Sequence, residues 1–401
     1  MEIFYFLGPT MKTRAAGSVE LKRERERERM KTIARIQKKK GQYFISSTSY
    51  FYNFKNAGVF FKARKFLISI LILMESRMAA ASSNEDSCFF DDIASRLRSR
   101  RVLGGTAADA INECGWCVVD DFMDERSARE LYERVKAFGA SSQSHFQQHV
   151  FQFGQQRFSK PGIYEMDLHD ASARKHAPVL RDVFRILGPE LAKAAAEALP
   201  ALGLASDDQP AIKLQMNRGG AFPMHYDNPG PPNLRGITCV VYLNPEWEES
   251  EGGQIELLPF LGRRVVVAPT MNRAVFFRSD RILHSVAPWQ GAADRPRFCF
   301  SVWINAREMP ESKLTRDHLR FTSYDQAASF FASSPLQRVI SRAIYAEEYE
   351  ASLRRCMQST PGEDVMLAQH HATIAALARQ LKPLIDNLKV RKSIEDPLRI
   401  L

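Results

Sequence analysis

The sequence has few cysteines, no long uncharged apolar run and little net charge over most of its length. Six cysteines in 401 residues are too sparse for the disulfide framework of a secreted protein, so a reducing compartment is the default. The longest uncharged apolar stretch, FLISILILM at 66–74, has nine residues where a membrane-spanning helix needs about 20. We therefore expect no transmembrane segment and a cytoplasmic or nuclear protein, or an organellar one if the N-terminal segment is a transit peptide.

Positive charge is concentrated at the N-terminus. The whole chain carries +10, but residues 1–77 hold 17 Lys and Arg against 6 Asp and Glu, a net of +11, so residues 78–401 sum to −1. A near-neutral body lacks the electrostatic footprint of a nucleic-acid binder, and no nucleic-acid partner is expected. No phosphate-binding glycine loop follows a strand, which argues against nucleotide enzymes.

The pattern divides the chain into four segments. Residues 1–77 form a basic leader with a strict Arg–Glu alternation, which we expect to be disordered; it is either untranslated sequence read as protein or a transit segment. Residues 78–93 are predicted to be a flexible linker, and residues 94–306 a folded domain. Residues 307–401 are predicted to form a helical C-terminal extension.

The expected fold class is α+β. Before residue 211 the patterns predict a helix at 91–103, a strand at 111–123, a helix with a capping box of Ser127 and Glu130, a β-ribbon or cleft-lining loop at 145–170, and a helix at 177–202. Seven short apolar runs between 211 and 304, separated by Gly, Pro and Asn clusters, predict a β-barrel or sandwich.

Apolar residues recur at helical spacing in the C-terminal extension, from Leu336 to Leu353 and again from Ile374 to Leu381. An exposed stripe of that length would be a liability. We expect it to pack on the barrel or on another chain, in which case the tail mediates self-association.

The HYD motif at 225–227, followed by His284, supplies two imidazoles and one carboxylate. This is the ligand set of a facial triad, which leaves open positions on non-haem Fe(II). Because strand side chains alternate with a period of two, His225 and Asp227 are predicted to share one face of one strand. An H-x-D pair alone is weak, since each histidine is more often structural.

The last apolar run, RFCFSVWI, strengthens the metal interpretation. Its alternation predicts Arg297, Cys299, Ser301 and Trp303 on one face of a strand. An inward arginine in a barrel is costly unless it meets an anion, and its guanidinium matches a carboxylate bidentately. The alternative is a structural ion pair with an acid such as Asp294.

The segments HYDNPG, RGITCVVYLNPEW, EGGQIELLP, FFRSDRILHSVAP and PRFCFSVWI, in this order, resemble the Fe(II)/2-oxoglutarate-dependent dioxygenases, and within them the prolyl-hydroxylase-like branch that includes the oxygen-sensing prolyl hydroxylases. GWCVVDDF near residue 115 resembles the opening strand of the same domain. The resemblance spans roughly 110–304, about half the chain. It implies a double-stranded β-helix, a jelly-roll or cupin-like barrel, flanked by N-terminal helices.

The resemblance also implies the roles of site residues. It implies that His225, Asp227 and His284 bind Fe(II) and are the catalytic residues. Its cosubstrate-binding residues are Arg297, which pairs with the distal carboxylate of 2-oxoglutarate, with Tyr242 and Ser301 contributing hydroxyl groups. Arg295 is the rival for the salt bridge. Gln215 departs from the pattern, because the oxygen-sensing enzymes have a second cosubstrate-contacting tyrosine there.

The function implied is hydroxylation of a C–H bond, with a prolyl or other side chain of a protein or peptide as substrate, succinate and CO₂ as coproducts and ascorbate as reductant. The alternatives are a small-molecule oxygenase on the same fold and a catalytically idle module that recruits partners through the helical tail.

Two further features receive structural interpretations. The pair Cys114 and Cys117 is expected to consist of ordinary strand cysteines rather than a redox pair. His145, His149, His169 and His176 are expected to be mostly surface or loop residues, and the alternative is that one of them touches substrate.

Overall fold

The computed structural model describes residues 102–141, 145–153, 156–309, 321, 323–358, 360, 362–389 and 397–400. All of them belong to the unit Ala80–Leu401. The predictions for the leader, for the linker and for nearly all of the helix at 91–103 lie outside the described residues.

Two facing sheets form the centre of the domain. The strands are β1 Trp116–Val119, β2 Gln147–Phe153, β3 Gln156–Asp167, β4 Ala211–Asn217, β5 Phe222–His225, β6 Arg235–Tyr242, β7 Ile255–Leu258, β8 Val265–Val267, β9 Ala274–Arg278, β10 Leu283–Val286, β11 Arg297–Asn305 and β12 Leu398–Ile400. The larger sheet has seven strands in the order β1-β9-β6-β11-β4-β3-β2, and the smaller has five in the order β12-β8-β7-β10-β5. Their strands pair antiparallel except for β12, which runs parallel to β8. The predicted β-domain is confirmed, with eight strands rather than seven between 211 and 305, because FPMH forms β5.

Strand β11 lies in the middle of the larger sheet, between β6 and β4. One face of it contributes Phe298, Phe300 and Val302 to the core beneath the N-terminal helices. The other face carries Arg297 and its alternating neighbours toward the interior of the barrel. The predicted alternation is therefore confirmed, since a strand turns successive side chains to opposite faces.

The helices that cover the larger sheet are α1 Thr106–Cys114, α2 Glu125–Ser141, α3 Ala171–His176, α4 Pro178–Asp182 and α5 Gly188–Ala198. The strand predicted at 111–123 was wrong in its first half, because residues up to Cys114 are helical and Gly115 ends the helix at φ 83°. Only a left-handed backbone that glycine tolerates allows this abrupt change from helix to β1.

The predicted capping box of α2 was also wrong. The Asp124 carboxylate accepts a hydrogen bond from the Ser127 backbone N–H at 2.9 Å, so Asp124 is the cap and Ser127 lies inside the first turn. The helix packs through one apolar face, on which Leu131 and Val135 are fully buried. The helix predicted at 177–202 is interrupted by a π-helical turn, Val183–Leu187, before α5.

The C-terminal extension contains α6 Tyr324–Ser333, α7 Gln337–Ile344, α8 Ala346–Met357 and α9 Glu363–Lys389. Its apolar stripe packs on the smaller sheet, where Ile340 and Leu388 share a core with Met224 and Leu283 of the barrel. The extension is joined to the barrel by polar contacts as well, because Ser352 Oγ accepts a hydrogen bond from the Met224 N–H at 3.0 Å. Of the two predicted arrangements, packing on the barrel is the one observed. No helix among the described residues is long and apolar enough to cross a bilayer.

Candidate iron and 2-oxoglutarate site

Three predicted metal ligands meet between strands β5 and β10 of the smaller sheet. His225 is the last residue of β5 and lies directly opposite His284 on antiparallel β10. Asp227 lies two residues beyond the end of β5. The prediction that the H-x-D pair shares one strand was wrong, because the chain leaves the sheet after His225 and a turn carries the carboxylate to the imidazoles.

The donor atoms of this triad are close enough to hold one metal ion. Nε2 of His225 lies 3.5 Å from Asp227 Oδ1, and Nε2 of His284 lies 3.8 Å from the same oxygen. All three ligand atoms lie within 4.8 Å of one another. Two imidazole nitrogens and one carboxylate oxygen on one side of a cavity fit Fe(II) with open positions toward the cavity.

Backbone carbonyls set the orientation of both imidazoles. Nδ1 of His225 lies 2.8 Å from the Pro223 carbonyl oxygen, and Nδ1 of His284 lies 3.1 Å from that of Ile282. Because a carbonyl only accepts, each Nδ1 carries the proton and donates it. The lone pair of each ring is thereby on Nε2, which is the nitrogen that faces Asp227.

The second oxygen of Asp227 is held by two buried donors. Thr238 Oγ1 donates to Oδ2 at 2.7 Å and Trp303 Nε1 donates to the same oxygen at 2.9 Å. Ser279 Oγ, 2.8 Å from Thr238 Oγ1, extends the chain of hydrogen bonds. These donors leave Oδ1 as the oxygen available to a metal. The alternation along β11 predicted Trp303 on the inward face, but no sequence pattern connected Trp303 or Thr238 with Asp227.

Electrostatics favour the metal-binding protonation states. Burial by itself raises the pKa of the Asp227 carboxyl, but the His284 imidazole and the surrounding donors lower it well below its ordinary value. Burial and the neighbouring His225 lower the pKa of His284 to about 4. At neutral pH the group is thus a carboxylate beside an uncharged imidazole, as metal coordination requires.

Deeper in the barrel, Arg297 and Tyr242 form a buried pair, and the only polar contact of the guanidinium among the described residues is from Nη1 to Cys299 Sγ at 3.5 Å. Arg297 is 2% exposed and Tyr242 is fully buried, with the guanidinium carbon 4.9 Å from the centre of the Tyr242 ring. Within the described part of the chain, the Arg297 Nε and the Tyr242 hydroxyl have no hydrogen-bond partner. Unsatisfied buried donors are costly, so this pair fits an anionic ligand such as the distal carboxylate of 2-oxoglutarate.

Arg295, the other candidate for the cosubstrate salt bridge, already has partners within the chain. Arg295 forms an ion pair with Glu251 and also contacts the Glu246 carbonyl oxygen at 3.4 Å. No carboxylate among the described residues forms an ion pair with Arg297, so the proposed pairing with Asp294 is not observed. These contacts favour Arg297 over Arg295 as the cosubstrate anchor.

The remaining residues of the predicted cosubstrate site lie along the same wall. Ser301 is 5% exposed and faces the cavity two residues beyond Cys299. Gln215 on β4 lies opposite Cys299, whose Sγ is 3.5 Å from the Gln215 Oε1. The departure at Gln215 therefore places an amide, rather than a phenol, in the wall of the site.

One cavity of about 610 Å³ joins the metal ligands and the Arg297 pair. The β2–β3 hairpin lines one side of it, as expected for residues 145–170, and His149 reaches it. Helices α7 and α8 close another side with Arg338, Arg342 and Tyr349, a contribution that no sequence pattern indicated. The tail is thus part of the site rather than a separate module.

Other titratable groups have structural roles. Burial raises the pKa of the Cys117 thiol to about 12, which favours a structural role for this strand cysteine. The expectation of two strand cysteines was wrong for Cys114, which is the exposed last residue of helix α1. His169 contacts the Pro210 carbonyl oxygen at 3.1 Å, and His145 stacks on Phe138.

The chain is similar to known oxygenases in sequence and structure. The family model of the 2OG-Fe(II) oxygenase superfamily matches residues 212–305. A solved structure from Phytophthora capsici, described among prolyl 4-hydroxylases, is 32% identical with a TM-score of 0.60 and covers 76% of this chain and 95% of its own. The hypoxia-inducible factor prolyl hydroxylase of Caenorhabditis elegans is 27% identical over 225 residues, 54% of this chain. The prolyl hydroxylase EGLN3 of Mus musculus is 36% identical over 100 residues, 24% of this chain.

The matches span only part of the curated relatives. They cover 30% of the Caenorhabditis elegans protein and 39% of the mouse protein. The match to the Phytophthora structure extends over 95% of that chain, at a TM-score of 0.60, and this chain has two facing sheets in the matched domain. The predicted fold is therefore confirmed.

Proposed function

Because this chain belongs to the 2OG-Fe(II) oxygenase superfamily, we propose that it is a dioxygenase that uses Fe(II) and 2-oxoglutarate to hydroxylate a prolyl side chain of a protein or peptide. The observation that carries the proposal is the shared cavity. A facial set of metal donors and an unsatisfied buried Arg297–Tyr242 pair open into the same space. The metal donors would hold the iron, and the Arg297–Tyr242 pair would hold the distal carboxylate of 2-oxoglutarate.

The residues of the chain hold and orient both groups. His225, Asp227 and His284 would bind the iron through Nε2, Oδ1 and Nε2, while Thr238 and Trp303 keep the carboxylate from rotating. The Arg297 guanidinium and Tyr242 hydroxyl would bind the distal carboxylate of 2-oxoglutarate, with Ser301 farther along the same strand face. When bound, the metal and cosubstrate supply the oxidation, in which one oxygen atom of O₂ enters the substrate and the other enters succinate, with release of CO₂.

The barrel wall excludes water from this chemistry. Val240, Ile255 and Phe277 line the cavity beside the cosubstrate pair and belong to one apolar cluster. Such a wall strengthens the electrostatic contacts of Arg297 and protects reactive species from solvent.

Two observations support a protein or peptide substrate. The chain is similar to prolyl hydroxylases, and its cavity is bordered by a hairpin and two helices. Ascorbate as reductant follows the same kinship. We propose a cytoplasmic or nuclear location for the protein. Because the barrel covers the apolar stripe of the tail, we propose that the tail acts within its own chain, which gel filtration of the purified protein tests.

Product analysis tests the proposed function. The protein is incubated with Fe(II), 2-oxoglutarate, ascorbate and proline-containing peptides or lysate, and products are analysed by mass spectrometry. We expect succinate and a peptide that gains one oxygen atom on proline, and neither from His284→Ala, which should be folded and poor in iron. Oxygen gain on a small metabolite instead would support the small-molecule alternative. Absence of succinate under all conditions would support an idle binding module.

A further inference from the structure

Lys160 is a buried cation that the proposed chemistry does not use. It lies on β3 and is 4% exposed. Its Nζ lies 3.7 Å from the centre of the Phe222 ring and 4.9 Å from that of Phe151, and all three side chains line the cavity. The ammonium is therefore stacked between aromatic rings, which attract a cation through their faces but leave its hydrogen-bonding capacity unused.

No carboxylate of the described residues is within ion-pair distance of Lys160, although Glu165 and Asp227 line the same cavity. Across the described residues, its Nζ takes part in no ion pair and no hydrogen bond. The nearby carboxylate of Glu165 is already engaged, since it lies 2.6 Å from both His149 Nδ1 and Lys213 Nζ. A buried charge without a partner destabilises a protein, so its presence at a cavity wall points to a ligand.

The backbone around Lys160 is held rigidly. The Arg218 N–H donates to the Gly162 carbonyl oxygen at 2.7 Å. A side chain at Gly220 would collide with the Pro161 carbonyl oxygen, so the two backbones touch. This contact determines where the neighbouring Lys160 enters the cavity, and a preorganised donor loses little entropy on binding.

Lys160 remains charged at neutral pH. Burial lowers the pKa of its ammonium to about 8, and the carboxylates of Glu165 and Asp227 oppose the shift. A pKa of about 8 leaves most of the population protonated at pH 7.

The whole cavity lining is electropositive. It holds six Lys and Arg side chains against two acids, Glu165 and Asp227. The six are Lys160, Lys213, Arg235, Arg297, Arg338 and Arg342. In a body of near-neutral charge, this local excess favours an anionic ligand and raises its concentration at the cavity.

We propose that Lys160 binds a carboxylate of the substrate, an acidic side chain that flanks the hydroxylated residue in the peptide segment that enters the cavity. The proposal rests on the proposed function for the identity of the substrate. The cosubstrate is held elsewhere, because Arg297 lies on β11, two strands away from Lys160 in the larger sheet. Lys160 is a specificity residue in this proposal and takes no part in the oxidation.

Peptide binding tests this proposal without turnover. The probes are a labelled short peptide of alternating proline and glutamate and its twin with glutamine in place of glutamate. Binding is measured by fluorescence anisotropy on the protein loaded with Fe(II) and 2-oxoglutarate under anaerobic conditions. We expect the wild type to bind the glutamate peptide about tenfold more tightly, the scale of one charge-assisted hydrogen bond.

Variants of Lys160 identify the residue responsible. Lys160→Met should reduce the preference for the glutamate peptide to about twofold or less, because methionine has no charge. Lys160→Arg should retain most of the preference, because arginine keeps the positive charge. The matched control is Lys193→Met, which removes an exposed charge on α5 outside the cavity and should leave the preference unchanged. Equal binding of both peptides by the wild type, or an undiminished preference in Lys160→Met, would overturn the proposal.

Thermal stability distinguishes a ligand-binding lysine from a structural one. Because Lys160→Met removes an unpaired buried charge, the ligand-free Tm should rise by about 2 to 4 °C. A fall of that size would show that the ammonium stabilises the fold, against the proposal.

Admission of oxygen then separates this proposal from the proposed function. A glutamate peptide that binds in a Lys160-dependent manner but gains no oxygen would contradict prolyl hydroxylation while supporting the carboxylate subsite. A peptide hydroxylated equally with glutamate or glutamine would support the function and contradict the subsite.

Discussion

The two oxygens of the Asp227 carboxylate have different surroundings, and this difference organises the metal site. Oδ1 faces both imidazoles, whereas Oδ2 accepts hydrogen bonds from Thr238 and Trp303. Groups behind a ligand fix its orientation and tune its affinity, so the two donors should matter for iron binding although neither contacts the ion.

Thr238→Val tests this role. Valine keeps the shape of threonine but removes the hydroxyl, so Asp227 loses one of two orienting hydrogen bonds and the Fe(II) dissociation constant should rise about 10- to 100-fold. Iron binding is measured by anaerobic titration. Thr373→Val, the same exchange on the exposed surface of α9, should leave the constant unchanged. Equal iron affinities for both variants would show that Trp303 alone suffices to orient the carboxylate.

Arg297→Lys tests the cosubstrate anchor. Lysine keeps the positive charge but loses the planar fork that binds a carboxylate bidentately. The 2-oxoglutarate concentration for half-maximal succinate production should rise by about one to two orders of magnitude, the scale of a lost charge-assisted hydrogen bond of roughly 1.5 to 3 kcal/mol. Iron content should not change. Arg295→Lys should have little effect, because Arg295 pairs with Glu251; sensitivity of Arg295 with a silent Arg297 would reverse the assignment.

At the scale of elements, β11 connects the two faces of the domain. Its outward residues build the core under the N-terminal helices, and its inward residues include Arg297, the proposed cosubstrate anchor, and Trp303, a donor to Asp227. A shift of one residue in its register would exchange the two sets, so the ladders with β4 and β6 define the site as well as the sheet.

The start of helix α2 gives a prediction at the same scale. Asp124→Ala removes the oxygen that accepts the Ser127 N–H, and loss of an N-cap costs about 0.5 to 2 kcal/mol of unfolding free energy. The change is measured by urea denaturation. Ser127→Ala should cost less, because the Ser127 side chain is not the cap; a larger loss for Ser127→Ala would restore the capping box.

At the scale of the whole molecule, the helical extension completes the domain. Helices α7 and α8 line the cavity, and the cluster they share with the smaller sheet includes Phe260 and Leu283 of the barrel. Removing the extension would expose these apolar residues to water and open the cavity on one side.

Truncation after residue 306 should therefore yield protein that aggregates and has lost activity, as measured by gel filtration and succinate production. A milder test is Ile340→Ala, which leaves a cavity at a fully buried position and should cost about 2 to 5 kcal/mol. Val365→Ala, at a residue that is 40% exposed, should cost far less. A soluble, monomeric truncated protein with full activity would show that the tail is dispensable.

Local patterns predicted much of this protein. The period of two in RFCFSVWI placed Arg297 and Trp303 on one face, because strand geometry turns alternate side chains the same way wherever the strand lies. The residue types of His225, Asp227 and His284 indicated their chemistry, because few side chains bind Fe(II). Less was predictable where elements begin and end, as the helix up to Cys114 and the cap at Asp124 show, since several nearby polar residues can serve equally well.

What the sequence by itself determined is the chemistry of the ligands and the faces of the strands, both of which depend on residue type and local spacing. Only the tertiary structure decided which distant groups surround them. Trp303 reaches Asp227 from 76 residues away, and Arg338 reaches the cavity from the tail. The burial of Lys160 without an ion-pair partner among the described residues is likewise a product of packing. Contacts of this kind depend on how whole elements pack in three dimensions, which no short stretch of sequence encodes.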